Sequence, residues 1–501
     1  MCGIFATTGD LTNQLMNDVL QSMKHRGPDE GSDILLENFH LGHQRLSIIG
    51  VEDGIQPIPN ETKTKWIVCN GEIYNYKQLK DSLPANTTYL RESDSEVVLK
   101  LYEEKGTEAV HALDGMFAFF IADEEQNTFI AARDTLGIKP LYYGKTSDDH
   151  YVFASELKTL YLVTEDVNEF PAGYYFTPEE GFVCYNEIKN PAEENWMSDE
   201  QMITAEVQQT LTRAVRKRLL ADVEVGVLLS GGLDSSLIAA IAAKYHKGNN
   251  PLKSFCVGSK DSMDIQRARD VAKEIGTEHH EYIYTQEELI EALPKVIYHL
   301  ESYEPSLVRS ALPNYFISKL AAEHVKVILS GEGADELFSG YAYLEKFTDT
   351  QELNDELLNI INTLHNINLQ RADRMSMAHS LELRVPFLDL EMIECGLRIP
   401  AEYKIQNENA IEKRILRQSF EGYIPEHVLW RKKEEFSEGS GAKELMDEYA
   451  EKAITDAEFN EVKANAEVPI RSKQECLYYQ IYRKQFPQDS ALKTVGRWAT
   501  A

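Results

Sequence analysis

The chain has 501 residues, of which 43% are hydrophobic, 10% aromatic and 27% charged, and its net charge is −31. A chain this long outgrows a single core and needs two or three domains, and one this acidic excludes a general nucleic-acid surface, which requires clustered Lys and Arg. No run reaches the roughly 18 apolar residues of a membrane span, and no basic segment followed by an apolar one marks a signal peptide.

The sequence opens MCGIF, so removal of Met1 would leave Cys2 carrying both a thiol and a free amine. From there to about residue 185, short strand-like runs dominate: KWIVC, NTFIAAR, PLYYG, YVFAS and GYYFT. Two helical patterns interrupt them, LTNQLMNDVLQSMKH at 11–25 and DSEVVLKLYEEKG at 94–106. Two strand-rich layers flanked by helices fit this order. Residues 186–200 are polar and acidic, contain Pro191, and read as a linker.

Beyond residue 201 the grammar changes. VEVGVLL is a continuous apolar run of the buried parallel type, followed by SGGLDSS and the helical SLIAAIAAKYH. LKSFCVG, a helix over MDIQRARDVAKEIG, HHEYIY, a helix over PNYFISKLAAEH and then VKVILS continue the alternation. Strand and helix in turn imply a parallel sheet with ligands at the carboxyl ends of its strands. From about residue 350 the pattern is mostly helical, and the acidic stretch 445–461 reads as a solvated helix face. The six cysteines show neither metal-ligand spacing nor a disulfide framework. Those other than Cys2 are expected as packed thiols in a reducing cytoplasm.

Three stretches carry chemistry. SGGLDSS, Ser230–Ser236, sits between a buried strand and a helix, where free amides and the helix dipole favour an anion. Gly231 and Gly232 let the backbone curl, the serines add donors, and Asp234 makes sense if Mg²⁺ lies between it and a phosphate. The Lys of the ordinary P-loop is missing, so the stretch is not that loop; it is similar to the pyrophosphatase loop of enzymes that split ATP into AMP and pyrophosphate. SGEGADELFSGY, Ser330–Tyr341, follows another buried strand; Asp335 offers a second carboxylate to the metal, and Glu332 an acid–base group. The third stretch centres on Cys2. Arg45 in HQRLSIIG is placed to clamp a carboxylate, and Asp94 in SDSE to anchor an ammonium. Asn70-Gly71 reads either as a hairpin turn or as an oxyanion hole.

MCGI, HRGPDE, RLSIIG, NGEIYN, SDSE and LDGMFAF together resemble the class II, N-terminal-nucleophile glutamine amidotransferase domain. SGGLDSS, SGEGADELFSGY, RMSMAHSLELRVPFLD and WRKKEEFSEG are similar to the synthetase domain of the glutamine-hydrolysing asparagine synthetase family. The resemblance implies an α/β protein of two domains. Residues 2–185 would form an αββα glutaminase sandwich, and residues 201–501 a parallel-sheet ATP-pyrophosphatase domain with added helices. It makes Cys2 the nucleophile, with Asn70 and Gly71 holding the oxyanion. Arg45, Leu46, Ser47, Ile48, Ile49, Asn70, Gly71, Glu72 and Asp94 would surround glutamine. Leu228, Ser230, Gly231, Gly232, Asp234, Ser235, Val257, Ser330, Gly331 and Lys433 would hold ATP. Asp234 and Asp335 would take Mg²⁺, with Glu332 acting at the aspartyl intermediate. The implied partners are glutamine, aspartate and ATP, without nucleic acid or membrane, in a cytoplasmic homodimer. Relatives that form β-lactams lose the Cys and carry Tyr at the Glu332 position; this chain keeps both. Arg371, Asp373, Arg374 and His379 leave two readings open, the aspartate site or a buried structural network.

Overall fold

The computed structural model describes residues 2–260, 262–405, 411–432 and 440–498. The N-terminal part is built on two six-stranded antiparallel sheets. In the first, the strands run in the order Asp166–Glu169, Tyr142–Lys145, Tyr151–Ala154, Cys2–Thr7, His40–Arg45, Glu30–Leu35. In the second the order is Gly181–Cys184, Tyr174–Thr177, Thr128–Arg133, Gly115–Asp123, Lys65–Ile73, Ile58–Pro59.

Side-chain alternation makes the layers. Ile4, Ala6 and Leu41 of the first sheet meet Val68, Ala118 and Phe120 of the second in a core filled by the rings of Phe129, Phe153, Phe170 and Phe176. Residues of the opposite parity, Ile67, Cys69, Phe119 and Ile121, face outward onto helix Asp94–Lys105. Helix Asn13–Ser22 covers the other sheet with Met16, Val19 and Leu20. The result is αββα. Asn70-Gly71 lies within a nine-residue strand, not at a hairpin turn. Cys184, expected as a packed thiol, is exposed at the end of an edge strand; the other five are buried.

The C-terminal part centres on a parallel sheet ordered Glu278–Ile283, Lys253–Gly258, Val225–Leu228, Val327–Leu329, Glu382–Arg384. The chain leaves the first strand, Val225–Leu228, winds to one edge, then returns to its other side at Val327–Leu329. The two central strand ends therefore open a crevice at the switch point, where such sheets bind ligands. The fifth strand was not foreseen in a region read as helical: Glu382 and Arg384 are fully buried polar residues, so no apolar run announces it.

A buried ionic cluster joins the two parts. Glu301, fully buried, accepts from the Leu157 and Lys158 amides, from Lys158 Nζ at 3.0 Å and from Arg374 Nη2 at 2.8 Å. Glu156 takes Arg26, Lys158 and Arg374 at 2.7–3.1 Å. Arg26 Nη1 also donates to Asp373 Oδ2 at 2.9 Å. Removing one partner of such a buried set strands the others and costs about 3–5 kcal/mol. Glu301→Ala should therefore lower the urea midpoint by the equivalent of about 3 kcal/mol, and Glu301→Gln, which keeps an acceptor for the amides, by less; unfolding followed by tryptophan fluorescence measures both.

Candidate active sites

Strand parity puts Cys2, Arg45, Asn70 and Glu72 on the inner faces of the two sheets, all at one end of the sandwich. Cys2 pairs with Arg45 across the first sheet. The Cys2 backbone nitrogen donates to Asn70 Oδ1 at 2.9 Å, bridging the sheets. Asn70 is fully buried, and its Nδ2 finds no hydrogen-bond partner among the described residues, which leaves a buried donor beside Cys2. Burial pushes the Cys2 thiol up, opposed by the Leu46 amide and the Arg45 charge. A resting thiol here stays protonated and needs a base to attack.

The strand carrying Asn70 is gripped from its edge. Gln56 Oε1 accepts from the Cys69 amide at 2.7 Å and Gln56 Nε2 donates to the Cys69 carbonyl at 3.2 Å, a side chain standing in for a missing ladder partner. Arg26 Nε donates to the Cys2 carbonyl at 2.9 Å, so the same guanidinium that reaches Asp373 also fixes the strand that carries Cys2. Neither role was read from the sequence, although the HRGPDE motif pointed at Arg26.

The predicted glutamine residues fall around this point with differing roles. Arg45 ties its guanidinium to the Gly50 and Val51 carbonyls at 2.6 and 3.2 Å. Leu46 and Ile48 are buried in the main core, the Ser47 amide donates to Asp29 at 2.8 Å, and Ile49 is half-buried beside them. The loop is clamped from the other domain: Asp222 Oδ2 accepts from the Gly50 amide at 2.9 Å. Glu72 and Asp94 are buried carboxyls. Burial pushes both up, and the charge of Glu382 adds to the rise of Glu72. Arg384 approaches Glu72 at 3.5 Å, and Asp94 accepts from the Ile73 amide. An incoming ammonium would relieve the burial cost of both.

The second site is a cavity of about 630 Å³ in the switch-point crevice. Leu228, Ser230, Gly232, Asp234, Ser235, Val257, Ser330, Gly331, Glu332 and Asp335 all line it. Ser230 and Ser235 hydroxyls meet at 3.1 Å, and Ser230 Oγ accepts from the Gly232 amide at 3.3 Å. Helix Leu233–Tyr245 starts there without a side-chain cap, leaving its first amides for a ligand. Gly231 does not line the cavity. It turns at φ 70° with its back against Arg267 and Ala268, where a Cβ would lie 2.6 Å from backbone; it shapes the loop without touching the opening.

Lys413 was missed because no local pattern marks it. Its Nζ sits 2.6 Å from both Asp234 and Asp335, and those charges hold it protonated against burial. Arg371 lines the cavity and donates to Glu332 Oε1 at 2.7 Å, while Asp373 and Arg374 belong to the interdomain cluster. His379 packs edge-on to Tyr315 at 4.3 Å, driven by burial down to about 4. The buried network is thus found for Asp373 and Arg374, while Arg371 borders the cavity. Lys433 lies outside the described residues; its neighbours Arg431 and Lys432 line the cavity.

Residues 1–202 match the glutamine amidotransferase domain family, and residues 206–352 and 344–498 match the asparagine synthase family. The chain is 38% identical to a probable glutamine-hydrolysing asparagine synthetase of Dictyostelium discoideum, over 99% of this chain and 96% of that one. It is 38% identical to asparagine synthetase B of Escherichia coli K12, over 99% and 93%. A maize glutamine-hydrolysing asparagine synthetase matches at 38% over 99% and 88%. Among solved structures, a B. subtilis glutamine phosphoribosylpyrophosphate amidotransferase resembles it at TM-score 0.34 and 19% identity, covering 56% of this chain and 81% of that one.

Glu336, at the cavity wall, gives a pH test. Burial, then the charge of Asp335, pushes its carboxyl from 4.5 up to about 7. An acid raised on folding contributes stability that is full below its unfolded pKa and lost as pH rises through its folded one. Glu336→Gln stays neutral throughout. Between pH 5 and 8 it should gain stability over the unsubstituted chain by on the order of 2–3 kcal/mol, read from urea unfolding across that range.

Proposed function

Because the chain belongs to the glutamine-hydrolysing asparagine synthetase family, as near full-length identity of 38% to several members establishes, we propose that its two constellations divide asparagine synthesis between them. The protein makes asparagine from aspartate with ATP, taking nitrogen from the glutamine amide. Residues 2–185 serve as the glutaminase, 186–200 as a linker and 201–501 as the synthetase.

With Met1 removed, the Cys2 nitrogen becomes an amine still held at Asn70 Oδ1, placed to take the proton from its own thiol. With a reference pKa of about 7.7–8.0 the amine is partly neutral near pH 7. The thiolate attacks the side-chain amide carbon of glutamine. Asn70 Nδ2 and the Gly71 amide receive the oxyanion, Arg45 the substrate carboxylate, and Glu72 with Asp94 the ammonium. Ammonia leaves, and water releases glutamate from the thioester.

In the crevice, Leu228 and Val257 border the base and ribose, and the Ser230–Ser236 loop cradles the pyrophosphate. Lys413, Arg431 and Lys432 supply positive charge there. The aspartate β-carboxylate attacks the α-phosphorus, giving β-aspartyl-AMP and pyrophosphate, and ammonia then displaces AMP. Glu332, steadied by Arg371, is placed to take the proton that ammonia sheds. Asp234 and Asp335 already share one cation, the Lys413 ammonium, and so fit Mg²⁺. Among the described residues no group of three or more His, Cys, Asp or Glu is placed to hold a metal unaided, so further ligands would come from the substrate. When bound, Mg²⁺ would neutralise charge on the phosphates.

Six free cysteines fit the reducing cytoplasm. We also place the protein in a homodimer; light scattering should give twice the 57.0 kDa chain mass.

The observation that carries the division of labour is the placement of the two constellations in separate folds, one between antiparallel sheets and one at a parallel-sheet switch point. Cys2→Ala should abolish glutamine-dependent synthesis and keep synthesis from free ammonia; equal loss of both refutes the division. With amide-labelled glutamine, ATP, Mg²⁺ and aspartate, the label should appear in asparagine alongside AMP, and ADP as product would overturn the assignment.

A further inference from the structure

The stretch Val495–Trp498 carries no motif, yet it reaches the synthetase cavity. Arg497 is its anchor. Its Nη2 donates to the Tyr303 hydroxyl at 2.8 Å, its guanidinium lies 5.1 Å over the Tyr303 ring, and its Nη1 pairs with the fully buried Glu475. Trp498, the next residue, turns into the cavity wall and meets the Tyr341 ring edge-on at 5.5 Å.

That contact says which end of the cavity the indole covers. Tyr341 donates its hydroxyl to Glu336 Oε1 at 2.7 Å and accepts from Asn368 Nδ2 at 3.4 Å, three residues before Arg371, the partner of Glu332, on the same helix. Trp498 therefore stands at the Glu332 end, where the acyl group is transferred. Leu228 and Val257 mark the nucleoside end.

We propose that Trp498 is a positioning residue of the synthetase: its indole and the Tyr341 ring wall in the aspartyl end of the bound acyl-adenylate and keep water from it. The inference rests on reading this cavity as the synthetase site. An acyl-phosphate anhydride open to water hydrolyses: water adds at the β-acyl carbon, the C–O bond to AMP breaks, and AMP leaves with the electron pair. The net loss is ATP plus water going to AMP plus pyrophosphate, with aspartate regenerated. A large aromatic wall at that end excludes the competing nucleophile while ammonia is admitted.

The test compares Trp498→Ala and Trp498→Phe with the unsubstituted enzyme, using ammonia, ATP, Mg²⁺ and aspartate. Two readouts are taken, the asparagine formed per pyrophosphate released and the KM values of aspartate and ATP. Neither depends on how much of a preparation is folded. For Trp498→Ala the product ratio should fall at least about twofold and the aspartate KM rise about tenfold, equivalent to about 1.4 kcal/mol, while the ATP KM stays nearly constant. Trp498→Phe should restore most of both. An unchanged ratio and aspartate KM in Trp498→Ala, or equal loss in Ala and Phe variants, overturns the role of the indole. If the unsubstituted enzyme itself releases no pyrophosphate with aspartate, the synthetase reading fails instead.

Discussion

The structure depends on a cluster of charges buried between its two halves. Arg26, Glu156, Lys158, Glu301, Asp373 and Arg374 are nearly all shut from solvent, and they come from both halves of the chain. Each would cost several kcal/mol if buried alone, so the set persists only while every member has its partners. That condition is a positional constraint: the halves fit in one register or leave a bare charge. The constraint reaches both sites. Arg26 holds the Cys2 carbonyl with Nε and Asp373 with its other nitrogens. Asp373 lies on helix Asn368–Met377, whose Arg371 holds Glu332. One helix thus bears on the strand that carries Cys2, the proposed nucleophile, and on Glu332, the proposed acid–base group of the distant reaction.

The same interface disfavours a protonated nitrogen that lacks a close carboxylate partner. Burial drives His299 down to about 2, although the carboxylate of Glu156 opposes the shift, and His25 lies 4.7 Å from it, ring to ring. Inside the sandwich, burial takes His43 down to about 3. Uncharged imidazoles spare the interface an unpaired buried charge, whereas Arg26, Lys158 and Arg374 keep theirs because carboxylates face them.

Local sequence was most informative where the chemistry is local. The Ser230–Ser236 loop and the Ser330–Tyr341 stretch each follow a short apolar strand, and their residues converge because the strands are neighbours. The run KWIVC likewise announced strand Lys65–Ile73, and the long pairing of that strand with Gly115–Asp123 excludes a hairpin turn at Asn70-Gly71. What stayed hidden depends on distant partners. Lys413 meets Asp234 across 179 residues, and Arg26 meets Asp373 across 347. Strand Glu382–Arg384 escaped because its polar residues are buried through ion pairing, contrary to the usual apolar signature.

A net charge of −31 poses a problem for any protein that binds a triphosphate. The answer here is a local balance of charge. Lys413, Arg371, Arg417, Arg431, Lys432 and Arg309 border the crevice beside six acidic residues, whereas basic residues number 51 against 82 acidic ones in the whole chain. Within the crevice the negative groups are themselves engaged: Asp234 and Asp335 by Lys413, and Glu332 by Arg371. Glu336 is held near neutrality by burial and by the neighbouring Asp335. The local field that a phosphate meets is therefore set by paired carboxylates, the cations that pair them and the open amides of helix Leu233–Tyr245, not by the chain as a whole. Beyond a Debye length of about 8 Å the distant acidic surface is screened, so an acidic exterior and an anion-binding interior coexist without conflict.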